Sequence, residues 1–179
     1  MKSFVTIFGS SVPQPGSPDY VIAYECGGQL ARAGMGICNG GYGGTMEASA
    51  KGAREAGGST MGITVSTWPR KPNPWIQEEV KTASLFERLM KLVEVGNAFA
   101  VLPGGSGTLF ELACVLELVN KRVIDRKPIV LVGDFWDGVL ATLRNEPPSA
   151  NRSDCTLFVH KVEGAEELAG YLKASLATR

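Results

Sequence analysis

The sequence predicts a doubly wound α/β fold with a mostly parallel sheet, one domain over residues 1–179. Three observations carry this. Short apolar, β-prone runs alternate with amphipathic stretches of helical length. The runs are apolar throughout rather than at every second position, as expected for strands covered on both faces. The links between elements are short, and no repeat, low-complexity tract or linker divides the 179 residues.

Strands are expected at Phe4–Phe8, Gly36–Cys38, Thr60–Val65, Phe99–Leu102, Ile129–Val132 and Thr156–Val159. Helices are expected at Pro18–Ala33, Thr45–Ala56, Leu85–Val95, Thr108–Asn120, Trp136–Arg144 and Ala165–Ala174. Ser17-Pro18 reads as a cap followed by proline at the first helical position. Gly34 and Gly96 stand where helix-ending glycines are expected. Ser66–Trp75 breaks the rhythm, because three prolines forbid regular structure. This segment reads either as a surface loop whose tryptophans pack back on the body, or as a lid. A lid would set Trp68 or Trp75 against an aromatic base and Arg70 or Lys71 near an anion.

Composition removes several function classes. Lys plus Arg and Asp plus Glu both total 18, so no basic surplus points to nucleic acid. A small anionic ligand needs only a few local donors and stays open. The four cysteines, Cys26, Cys38, Cys114 and Cys155, form no Cys-x-x-Cys pair and read as small apolar residues of a reduced compartment. With no apolar run of membrane-spanning length and a strand beginning at Phe4, a cytoplasmic protein without a membrane partner is expected. The single histidine, His160, reads as the end of a late strand, and one histidine rules out a multi-histidine metal site. No metal and no cofactor is expected, and any catalysis falls to carboxylates and arginines.

In open α/β sheets, ligands bind beyond the carboxyl ends of the strands. Three glycine-bearing turns are predicted there: Gly9-Ser10-Ser11, then Asn39-Gly40-Gly41-Tyr42-Gly43-Gly44-Thr45, then Pro103-Gly104-Gly105-Ser106-Gly107-Thr108. Free N–H groups and a following helix start favour an anion such as phosphate. The chain has no Gly-Lys-Ser/Thr of a P-loop, and neither longer turn completes the dinucleotide fingerprint. Ser84-Leu85-Phe86-Glu87 and Thr108-Leu109-Phe110-Glu111 both match a capping box, so each glutamate reads first as a helix cap. Glu111 would also lie beside whatever the turn binds. Arg88, taken alone, reads as an arginine on a solvated helix face.

Glu87-Arg88 followed by Asn97–Glu111, which contains Pro103-Gly104-Gly105-Ser106-Gly107-Thr108-Leu109-Phe110-Glu111, resembles the signature of the LONELY GUY (LOG) family. Its pattern is Pro-Gly-Gly-x-Gly-Thr-x-x-Glu with an arginine on the preceding helix, and the likeness runs from about Phe4 to Leu143. The resemblance implies a Rossmann-like homodimer that cleaves the N-glycosidic bond of cytokinin or adenosine 5′-monophosphates. Arg88 and Glu111 would be the catalytic residues. Gly9, Ser10, Gly41, Gly43, Gly104, Gly105, Ser106, Gly107 and Thr108 would bind a nucleotide, with phosphate on the last turn. The dimer would form through the helices carrying Arg88 and Glu111, the second of which is apolar around much of its circumference. Family members often carry a lysine decarboxylase label, yet nothing marks a pyridoxal-phosphate lysine. The chain departs from the pattern at Leu89 for lysine, Leu92 for methionine, Gly44-Thr45-Met46-Glu47, and Ser66–Trp75. The alternative is a non-catalytic carrier for molybdenum cofactor or another phosphorylated ligand, since molybdenum-cofactor carriers share this kind of fold and turn.

Overall fold

A computed structural model describes residues 3–145 and 154–177. The described chain forms strands β1 (Phe4–Phe8), β2 (Gly36–Asn39), β3 (Thr60–Val65), β4 (Glu78–Thr82), β5 (Ala98–Val101), β6 (Ile129–Val132) and β7 (Val159–Val162). The helices are α1 (Pro18–Arg32), α2 (Thr45–Glu55), α3 (Leu85–Val95), α4 (Ser106–Asn120), α5 (Asp137–Arg144) and α6 (Ala165–Ala177). The seven described strands make one sheet in the order β4-β3-β2-β1-β5-β6-β7. Every neighbouring pair is parallel.

Strand side chains alternate between two cores, as the twofold strand period dictates. Val5, Ile7, Ala98, Ala100, Val130 and Val132 face α1, α2 and α6. Phe8, Phe99, Val101, Ile129 and Leu131 face α3, α4 and α5. Helices α1 and α2 cross closely because side chains are missing at the contact. A Cβ on Gly27 would lie 1.9 Å from the Ser49 carbonyl oxygen, and one on Gly52 would lie 2.0 Å from that of Tyr24.

Four local expectations are corrected. Thr156–Val159 is not a strand. Asp154 accepts hydrogen bonds from the Thr156 N–H and hydroxyl at 2.8 and 2.6 Å, which caps a 3₁₀ turn over Cys155–Phe158, and the strand starts at Val159. His160 therefore lies near the beginning of β7, stacked on Tyr171. Strand β4 was not foreseen, because Glu78-Glu79-Val80-Lys81-Thr82 is largely polar; it is an edge strand with exposed charges, which blunt unwanted pairing. Pro18 does open α1, but Ser17 makes no side-chain cap, and its buried hydroxyl has no partner among the described residues. Gly34 ends α1 with φ +88, whereas Gly96 is extended (φ −67), and a Cβ there would meet the Thr6 hydroxyl at 2.6 Å.

The strand order reverses between β1 and β5, so their carboxyl ends diverge into different layers and leave a crevice. The turns after β1, β2 and β5 converge there.

Candidate active site

The turn after β5 runs into α4 with Gly105 as N-cap in extended conformation and no side-chain cap. The helix thus begins at Ser106, two residues before the expected Thr108. The capping-box expectation for Glu111 is corrected by this shift, since Thr108 is helical and Glu111 lies beyond the first turn. The first N–H groups of a helix have no intrahelical acceptor, so those of Ser106, Gly107 and Thr108 point out at its positive end. A Cβ at Gly105 or Gly107 would meet nothing within 4 Å, so the space above the turn is open.

The turn after β1 is tied to the start of α2, with the Thr45 N–H and hydroxyl both donating to the Ser10 carbonyl at 2.9 and 3.0 Å. The turn after β2 is held from within. Buried Asn39 accepts from the Gly41 N–H at 2.8 Å and donates to the Met46 carbonyl at 2.8 Å. It is also clamped from outside by Asn73 of the Pro/Trp segment. The Asn73 side-chain amide donates to the Gly41 and Tyr42 carbonyls at 3.1 and 2.8 Å, and its backbone N–H donates to the Gly41 carbonyl at 2.8 Å. The clamp docks Ser66–Trp75 against the glycine turn and seats Trp68 on Tyr42, ring centroids 5.6 Å apart.

Arg88 and Glu111 meet in this crevice. Arg88 is buried, which corrects the solvated-face expectation. Its Nε donates to the Ile63 carbonyl at 2.9 Å, and Nη1 lies 3.5 Å from Glu111 Oε1, with side chains 9% and 13% exposed. The guanidinium also lies 5.8 Å and 5.9 Å from the Tyr42 and Trp68 ring centroids. Glycine at position 40 makes room for it, since a Cβ there would fall 1.5 Å from Arg88 Nη2. Burial pushes the Glu111 carboxyl up to about 7, against the opposing pull of Arg88. Glu87 keeps the capping role: Ser84 accepts from its N–H at 3.2 Å, and its carboxylate accepts from the Ala83 N–H at 2.8 Å.

A cavity of about 420 Å³ lies between these parts. Of the expected site residues, Gly9, Ser10, Arg88, Gly105, Ser106, Gly107, Thr108 and Glu111 line it. Gly41, Gly43 and Gly104 stand outside its wall. Gly41 is buried behind the Asn73 clamp, and Gly104 lies beneath Thr108, whose hydroxyl would be 2.2 Å from a Cβ at 104. Gly40, Tyr42, Met46, Leu85, Leu89 and Phe110 also line it and were missed as site residues, and Trp68 and Arg70 join them. Trp68 and Arg70 had been weighed as a lid; Lys71 and Trp75 face elsewhere, Trp75 lying under the Lys51 ammonium at 5.6 Å. Among the described residues no group of three or more His, Cys, Asp or Glu could hold a metal ion, and no helix is long and apolar enough to cross a membrane.

Comparison with known proteins fits this geometry. A family model described as "Possible lysine decarboxylase" matches residues 46–171. The chain is 38% identical over 116 residues to an uncharacterized protein of Archaeoglobus fulgidus, covering 63% of this chain and 74% of that protein. It is 34% identical over 128 residues to a Mycobacterium tuberculosis protein named cytokinin riboside 5′-monophosphate phosphoribohydrolase, covering 68% and 67%. Among solved structures, the molybdenum cofactor binding protein of Rippkaea orientalis superposes with a TM-score of 0.78 at 24% identity over 98% of both chains, a likeness of fold.

Proposed function

The chain belongs to the LOG family, whose model is described as "Possible lysine decarboxylase", and from that premise we propose that it hydrolyses the N-glycosidic bond of a nucleoside 5′-monophosphate. The observation that carries this reading is the pairing, in one cavity, of an uncapped helix start with a buried carboxyl one turn further along the same helix.

In this reading the 5′-phosphate accepts from the N–H groups of Ser106, Gly107 and Thr108 and sits at the positive end of α4. Binding there orients the ribose toward Glu111. As the C1′–N bond breaks, its electron pair leaves with the base and positive charge develops on the ribose. The Glu111 carboxylate opposes that charge. Water then bonds to C1′ and gives up a proton, and a carboxyl with a pKa of about 7 is suited to accept it near neutral pH. The departing base takes up a proton in turn. Arg88 holds Glu111 in place and favours its ionised form. The products are free base and ribose 5-phosphate.

The lysine decarboxylase description finds no support in the cavity. A pyridoxal-phosphate reaction forms its Schiff base on a lysine, and none of the residues lining the cavity is lysine.

A homodimer is part of the proposal. Leu85, Phe86 and Met90 on α3 and Leu109 and Phe110 on α4 form an exposed apolar face, with Phe86 70% exposed and in edge-to-face contact with Phe110. This face adjoins the cavity, whose wall includes Leu85 and Phe110. Sedimentation as a monomer at high concentration would remove the dimer from the proposal.

The test is incubation with a panel of nucleoside 5′-monophosphates and the matching nucleosides, with released base read by chromatography. Base should be released from the monophosphates far faster than from the nucleosides, because the turn has little to hold without phosphate. Tight binding of monophosphates with no base released would identify a carrier. Equal handling of nucleoside and nucleotide would refute the phosphate assignment.

A further inference from the structure

Opposite the α4 turn, the cavity has a second wall whose hydrogen-bonding character is one-sided. It consists of Tyr42, Trp68 and Arg70. Trp68 packs on Tyr42 while remaining 37% exposed, so part of its indole is free for stacking. Four carbonyls on this side are engaged. Those of Gly41 and Tyr42 accept from Asn73, that of Val65 accepts from the Trp68 N–H, and that of Trp68 accepts from the Arg70 N–H at 2.8 Å. The Tyr42 phenol oxygen accepts from the Val65 N–H at 3.0 Å. The Arg70 side chain has no hydrogen-bond or ion-pair partner among the described residues, yet it lines the cavity. The Asn73 clamp and the Arg70–Trp68 backbone bond keep residues 68 and 70 within one short turn of chain beside the cavity. This side of the cavity therefore offers an indole for stacking and a guanidinium whose N–H donors are uncommitted among the described residues.

Resting on the nucleotide-hydrolase reading above, we propose that Trp68 and Arg70 select the base, and that they favour 6-oxopurines, guanine and hypoxanthine, over adenine and its N6-substituted forms. Trp68 stacks on the purine. The planar guanidinium donates two hydrogen bonds to O6 and N7, both acceptors in a 6-oxopurine. Adenine presents N7 and a 6-amino donor along that edge, so one guanidinium N–H would face another donor. Good bidentate pairs of this kind discriminate between bases by about ten- to hundredfold. Donation to O6 and N7 also withdraws electrons from the departing base, so the preference belongs in kcat as well as in KM.

The experiment compares kcat/KM for GMP, IMP, AMP and N6-methyl-AMP in the wild type and in Arg70→Met, which keeps a long side chain without donors. The wild type should favour GMP and IMP by about tenfold or more. Arg70→Met should bring the four within about twofold, because the 6-oxopurine values fall further than those of AMP and N6-methyl-AMP. Trp68→Leu should weaken all four together. Base release with AMP equal to or better than GMP, or a GMP:AMP ratio unchanged in Arg70→Met, would overturn the proposal and leave the hydrolase reading intact. If no nucleotide yields free base, the hydrolase reading fails. The same ranking of dissociation constants by calorimetry then decides the base preference, with loss of the GMP advantage in Arg70→Met supporting it and equal affinities overturning it.

Discussion

Helices α3 and α4 begin with nearly the same words, Ser84-Leu85-Phe86-Glu87 and Thr108-Leu109-Phe110-Glu111, and put their glutamates to different use. At α3, Ser84 stands outside the helix in extended conformation, and Glu87 reaches back to the chain before it. At α4, Gly104 and Gly105 precede the motif, and the helix begins at Ser106. Thr108 is drawn into the first turn, and Glu111 turns toward Arg88 instead of the backbone. The lesson is that a capping box is fixed by where the helix starts, which depends on the residues before it. Side-chain-free positions there leave the first N–H groups of α4 uncapped and let the glutamate turn into the cavity.

The largest effect that would sharpen this contrast is on turnover. Glu111→Gln should lower kcat by about 100- to 1000-fold with little change in nucleotide affinity, because it keeps shape and removes the charge that opposes the developing cation. Glu87→Gln, at the matching position, should stay within about twofold of wild type. Equal losses in both, read by base release, would erase the functional difference.

Arg88 tests the contrast through stability. A solvated helix arginine contributes little, but this one bonds Ile63 and faces a buried carboxyl. Arg88→Ala should cost about 3 kcal/mol in denaturant unfolding, because it removes the bond to Ile63 and the cation that offsets the burial of the Glu111 carboxyl. A loss within about 0.5 kcal/mol would return Arg88 to the surface role that its sequence context suggests. This cost also sets a condition on activity measurements, which must be made where the variant is still folded.

The pH dependence follows from the raised Glu111 pKa. In the folded state the carboxyl holds its proton to about 7, against 4.5 as the ordinary value. Between these values the folded form binds the proton and the unfolded form does not, so this group's contribution makes stability fall as pH rises from about 4.5 to about 7, and it levels off above. Glu111→Gln should flatten that part of the stability profile and be more stable than wild type relative to its own acid limit. Turnover should rise with pH through the same region if the carboxylate is the working form.

The fold was legible where the signal was local and apolar. The bounds of β1, β3, β6 and α3 match the expected ones residue for residue, because uniform apolar runs and a well-formed cap mark them. β4 was invisible because an edge strand is stabilised by its neighbour's backbone and shows solvent its charged side chains. The candidate site was legible between Arg88 and Glu111 through the family signature, since spacing alone read Arg88 as solvated and Glu111 as a cap. The opposite wall was legible only as one of two readings of Ser66–Trp75. Nothing in Ser66–Trp75 announces that Asn73 will bond carbonyls more than 30 positions earlier in the chain, or that this bond brings Trp68 and Arg70 to the cavity. Gly40 was passed over in favour of Gly41 and Gly43 because its role is spatial, leaving room for a guanidinium from another helix.

The smallest effect tests the two helix starts directly. Ser84 accepts the Glu87 N–H at 3.2 Å, so Ser84→Ala should cost about 1 kcal/mol of stability, as removal of a serine N-cap usually does. Ser106 opens the other helix as a residue inside it, behind an N-cap glycine that has no side chain to lose. Ser106→Ala removes no cap bond and places a good helix former in the first turn, so its stability should stay within about 0.5 kcal/mol of wild type. Both variants keep the backbone N–H groups that hold phosphate in the proposed mechanism, so neither should lose more than a fewfold in affinity for a nucleoside monophosphate. Chemical denaturation and calorimetry on the pair read both quantities. A stability loss at Ser106 as large as at Ser84 would mean that α4 is capped by a side chain after all. The two helix starts would then be built alike, and the open donors on which phosphate binding rests would be lost from the argument.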